Sequence, residues 1–156
     1  MQYSVNEVEG LLVKAARGAG TPAGQASAFG KAGALHLARG GDVAQVDAAL
    51  AAAPKGAILE NPAQLQTVLG AGGGLLETGK GDLMESYALA LPYTTREVAQ
   101  GIEIDMQQFD KTTLPARITL APQALAPWHK LAANTYVPET EASRLGGAGA
   151  GLTDND

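Results

Sequence analysis

SVNEVEGLLVKAARGAG, residues 4–20, decides how the rest of the chain is read. Ser4 followed three residues later by Glu7 is a capping box: the serine oxygen takes a backbone N–H of the first turn, and the glutamate reaches back to the cap. Val5, Val8, Leu11, Leu12, Ala15, Ala16 and Ala19 then recur at helical spacing, so this stretch is an amphipathic helix over about 4–17, ended by Gly18 and Gly20.

Working outward, Thr21-Pro22 restarts the chain with an N-cap and a proline at the first helical position, predicting a second helix over about 22–39. Ala26, Gly30 and Ala34 repeat every fourth residue and form a stripe of small side chains against which the first helix can approach closely. Gly40-Gly41 ends this helix, and Asp42 with Gln45 caps a third over about 43–53, before Pro54. Asn61-Pro62 is read as opening a short helix through Leu69, and GAGGG at 70–74 as an interruption. SYALALPY (86–93), VAQGIEIDMQ (98–107) and ARITLA (116–121) carry β-branched or aromatic residues with partial alternation, and read as strands. APQALAPWHKLAAN predicts a further helix near 122–134, kinked or shortened by Pro127. Helices first and strands later specify an α+β class: N-terminal helices packed on a small, mainly antiparallel sheet. The chain of 156 residues is expected to form one domain, with a Gly-rich C-terminal segment at 143–156.

Composition narrows function by exclusion. The net charge is −5, with 11 basic residues dispersed along the chain, so a sequence-independent nucleic-acid binder is not expected. Residues 1–40 carry Lys14, Arg17, Lys31 and Arg39 against Glu7 and Glu9, a balance of +2 that leaves −7 for the remainder. That excess fits either a small anionic ligand or a solvated helix face. Cysteine is absent, which removes thiol chemistry and fits a reducing cytoplasm. No membrane span or export signal is recognised, and a cytoplasmic location is expected.

No metal site is expected, because His36 and His129 stand in different elements without partners at ligand spacing. Both fit structural roles, and His129 is the better placed of the two for a general base. Gly18-Ala-Gly20-Thr-Pro-Ala-Gly24 imitates a dinucleotide fingerprint but joins two helices instead of following a strand. Gly74-Leu-Leu-Glu-Thr-Gly79-Lys80-Gly81 follows a phosphate-binding loop as far as its lysine, then has Gly81 where a hydroxyl must hold magnesium, and is expected to be an exposed turn between two strands. Glu103 and Asp105 share one strand face, as an exposed sheet would require.

The closing SRLGGAGAGLTDND sets an arginine fork beside a serine hydroxyl and glycines able to present successive N–H groups, the ingredients of an anion nest. Its composition equally fits a mobile terminus. SVNEVEGLLVKAARGAG, with Gly24 and Gly30-Lys31, together with TYVPETEASRLGGAGAGLTDND at 135–156, resembles a bacterial family of uncharacterised proteins known only as a domain of unknown function. The resemblance brings no activity, substrate or cofactor. It implies motif positions at Asn6, Glu7, Lys14, Arg17, Gly18 and Gly20, and at Tyr136, Pro138, Glu141, Ser143, Arg144, Gly147, Gly149, Gly151, Asp154, Asn155 and Asp156. It also tips the C-terminal block toward an ordered loop.

The expectation is therefore a protein that binds a small anionic metabolite through Lys14, Arg17, Ser143, Arg144, Gly147, Gly149 and Asp154. His129 and Glu141 are the candidates for acid–base chemistry if a reaction follows. The rival expectation is an assembly protein, a homo-oligomer in which the C-terminal segment docks on a neighbouring subunit and its aspartates meet Lys14 or Arg17.

Overall fold

A computed structural model describes residues 1–110, 113 and 115–136. Strand β1 (Gln2–Ser4) runs straight into helix α1 (Val5–Gly18). The capping box forms: Glu7 N–H donates to Ser4 Oγ at 3.2 Å, and Ser4 N–H donates to Glu7 Oε2 at 2.7 Å. Val8, Leu12, Ala15 and Ala16 turn inward on one face. Helix α2 (Ala23–Ala38) packs against α1 through Gly30 and Gly33. A β-carbon at Gly30 would collide with the Val13 side chain and lie 3.0 Å from the Glu9 carbonyl, so the two backbones meet where only glycine fits. Pro22 itself holds the cap position of α2, and the Thr21 hydroxyl, expected to cap it, is buried without a partner among the described residues.

Asp42 caps helix α3 (Val43–Ala52) by accepting from Ala44 N–H at 2.9 Å. Gln45 does not join that cap. It accepts from Leu83 N–H at 2.7 Å and donates to the Gly81 carbonyl at 3.3 Å, serving a different helix start. Helix α4 (Ala57–Gly70) begins before the expected Asn61-Pro62 opening and keeps Pro62 inside it. The proline has no N–H for the carbonyl one turn earlier, but the buried Ile58 and Leu65 hold the helix to the core on either side.

The strands are all antiparallel and fall into two sheets. In the larger, β2 (Gly73–Glu77), β4 (Gly101–Phe109) and β3 (Tyr93–Val98) lie in the order β2-β4-β3, with Leu76 opposite Ile102. In the smaller, β1 pairs with β5 (Arg117–Thr119), Tyr3 opposite Ile118. Two local readings are corrected. The Gly-rich interruption continues directly into β2, where glycines take positive φ at the strand's start. Residues 86–89 of SYALALPY belong to a helix, α5 (Leu83–Leu89), every residue of which is buried. A segment buried all round shows no periodicity from which helix and strand can be told apart.

A short 3₁₀ turn (Pro122–Leu125) leads into helix α6 (Ala126–Ala133), with Pro127 in its first turn, where a missing N–H costs nothing. Trp128 on α6 is fully buried, together with Phe29, Leu12 and Ile58, and the buried apolar residues form one cluster drawn from helices and strands alike. The architecture is α+β. No helix of the described residues is long and apolar enough to cross a membrane.

Candidate functional site

An open cleft of about 550 Å³ lies between α1 and α6. From α1 come Asn6, Glu7, Gly10, Leu11 and Lys14. Asn6, Gly10 and Lys14 are spaced by four and therefore form one stripe down the helix. From the other side come Leu125, His129, Ala132 and Tyr136, again at helical spacing, with Tyr3 of β1 nearby. The two helices are held together below the cleft by a second close approach. A β-carbon at Gly18 would collide with the Leu131 carbonyl, and Asn134 Nδ2 donates to the Gly18 carbonyl at 3.3 Å.

The structure thus brings together two of the sequence-derived site residues, Lys14 and His129, from opposite ends of the chain. Lys14 and Arg17 are exposed, and neither makes an ion pair among the described residues. Arg17 lies on α1 beyond the residues that line the cleft. Ser143, Arg144, Gly147, Gly149 and Asp154, together with Glu141, lie outside the described residues. His36, by contrast, is buried, its Nε2 at 3.1 Å from the Asp42 carbonyl and its ring against Gly41, where it fixes the turn between α2 and α3.

Among the described residues, the charged groups that line the cleft are Lys14 and Glu7, with His129 beside them. Hydrogen bonds from Ser4, its side chain first and its backbone second, hold the Glu7 carboxyl below the ordinary range, and the Arg117 charge adds to this. Glu7 therefore stays ionised at neutral pH, and its charge is already engaged in the capping box. Among the described residues Lys14 has no such engagement.

Two other concavities are less able to take a ligand. A 430 Å³ hollow on the outer sheet face includes Leu75, Thr94, Arg96 and Glu103, but Arg96 donates to Glu103 through both Nε and Nη2, so its charges satisfy each other. The Gly79-Lys80-Gly81 loop does join a strand to a helix, β2 to α5, and so is not a turn between strands. Both glycine donors are spoken for: Gly79 N–H goes to Asp82 Oδ2 at 2.9 Å and Gly81 N–H to Glu85 Oε2 at 2.6 Å. Two carboxylates occupy the positions a phosphate would need, and Glu85 is itself paired with Arg39 at 3.2 Å. Among the described residues no group of three or more His, Asp or Glu side chains could hold a metal ion.

Sequence reasoning overlooked Gly10, Leu11 and Leu125 as parts of a site. The available signal was the spacing of Asn6, Gly10 and Lys14, and a glycine in the middle of an otherwise well-formed helix. No family model matches the chain, and neither a curated protein nor a solved structure does.

Proposed function

We propose that the α1–α6 cleft binds a small anionic metabolite, with Lys14 as the cation that attracts it and Ser143, Arg144, Gly147, Gly149 and Asp154 completing the shell. One observation carries this reading: Lys14 and His129 line the same cleft, and Tyr136, at its rim, leads in sequence to Ser143 and Arg144. Arg144 follows Tyr136 by eight residues, a span of at most about 28 Å when extended, which is enough for its side chain to return to the cleft. A guanidinium and an ammonium on one anion, aided by glycine N–H groups, make a charge-assisted shell of the kind that holds carboxylates and phosphates. Arg17, one turn beyond Lys14, adds positive potential at the approach. For a proton-transfer step the cleft offers His129 as the base, and the sequence offers Glu141. A cytoplasmic setting is part of the proposal and is supported by the absence of cysteine.

Lys14 and Arg17, exposed and without an ion pair among the described residues, also support the competing reading, in which residues 143–156 dock on a neighbouring subunit and Asp154 meets one of these cations. A thermal-shift screen of organic acids and phosphorylated metabolites, run on the parent, Lys14→Gln and Arg144→Ala, tests the binding proposal. An anion that raises the melting midpoint of the parent, and does so much less in both variants, is the expected result. Removing residues 146–156 separates the two readings. Loss of an oligomer on sizing supports docking; an unchanged oligomer with a lost ligand shift supports the cleft.

A further inference from the structure

Gly10 sits in the interior of α1, where glycine costs about 1 kcal/mol relative to alanine. The neighbouring glycines are accounted for by packing: β-carbons at Gly18, Gly30 and Gly33 would strike Leu131, Val13 and Leu12. A β-carbon at Gly10 would meet nothing within 4 Å. The fold does not ask for a bare backbone there, yet Gly10 is the middle of the stripe that lines the cleft. Its bare backbone leaves a trough in the cleft wall, whose lining also includes Leu11, Leu125 and, one turn on, Lys14.

We propose that this trough receives the unbranched apolar body of a monocarboxylate whose carboxylate meets Lys14. The inference rests on the reading of the cleft as an anion site and adds the ligand's shape and charge. Apolar and aromatic side chains, Leu11, Leu125, Ala132 and Tyr136, account for much of the lining, which favours a ligand with a hydrocarbon portion over a compact polyanion. Among the described residues that line the cleft, Lys14 is the cation and Glu7 is an anion already engaged by Ser4, so the trough offers its ligand a positive charge at the Lys14 end. From Asn6 to Lys14 the stripe extends about 12 Å along the helix axis, which suits a chain of medium length.

The test is calorimetric titration of the full chain with sodium acetate, butyrate, hexanoate and octanoate, each below its micelle concentration. Affinity should rise about fourfold per methylene as the chain fills the trough. Lys14→Gln should weaken octanoate at least tenfold. Gly10→Leu, a good helix former placed in open space, should abolish octanoate binding, and circular dichroism will verify that the helix persists. Octanoate binding no tighter than acetate, or unaffected by Gly10→Leu in a folded protein, overturns the proposal. If phosphorylated compounds or dicarboxylates bind through Lys14 without any chain-length dependence, the anion reading stands and this one fails; if no anion binds, both fail.

Discussion

The indole N–H of Trp128 donates to Asp47 Oδ1 at 2.7 Å, a bond between residues 81 positions apart that ties α6 to α3. Trp128 is fully buried and is the single tryptophan in the chain. Trp128→Phe should therefore lose a charge-assisted hydrogen bond and leave a void, costing about 2–4 kcal/mol in urea unfolding followed by circular dichroism. Asp47→Ala keeps the ring and should cost about 1–2 kcal/mol, with little change in the tryptophan emission of the folded protein.

Gly18 and Gly10 stand on one helix and should respond oppositely to alanine. At Gly18 the added methyl has no room beside the Leu131 carbonyl, so Gly18→Ala should destabilise by about 2–3 kcal/mol as α1 and α6 are forced apart. Gly10→Ala meets open space and should stabilise by about 0.5–1 kcal/mol through helix propensity. Thermal and urea unfolding of the two variants measures both signs.

Tyr87 is buried on α5, and its hydroxyl has no partner among the described residues. Burial pushes the phenol's pKa well up, so the ring stays neutral through the alkaline range. Because the hydroxyl is stripped of water without compensation, Tyr87→Phe should be neutral or stabilising by up to about 1 kcal/mol. Urea unfolding at neutral pH tests this, and a loss of stability greater than 1 kcal/mol would show that the hydroxyl is bonded after all.

Glu7 supplies a pH dependence. Its carboxyl titrates lower in the folded protein than in the unfolded chain, so its contribution to stability is full above the ordinary value of 4.5 and is lost as pH falls through the lowered folded value. The stability difference between the parent and Glu7→Gln should therefore be constant from neutral pH down to about 5 and shrink below it. Unfolding curves collected across that range measure the difference directly.

The legibility of this fold follows from where each signal comes from. Helix α1 is written locally, in Ser4, Glu7 and the inward row from Val5 to Ala16, and its pairing with α2 is written in Gly30. Strand β4 is legible for the same reason, since Ile102 and Ile104 face the core and Glu103 and Asp105 do not. Helix α5 was not legible because burial on every side removes the contrast between faces. Gln45 was misread because its partners, Leu83 and Gly81, are distant in sequence, whereas a cap is a short-range pattern. For the site, Lys14 could be named from charge, and His129 from its being one of two histidines. Their meeting on one cleft depends on how α6 crosses α1, with Gly18 against the Leu131 carbonyl, and no local pattern announces that crossing.

Gln45 has a consequence for how the molecule comes apart. A single amide on α3 satisfies both the first N–H of α5 and the carbonyl of the loop leading to it, so neither group has a local substitute. Pulling α3 away from the start of α5 would break both bonds at once. The two helices are thus riveted at a point where partial opening is penalised, and heat should dismantle them in one concerted event.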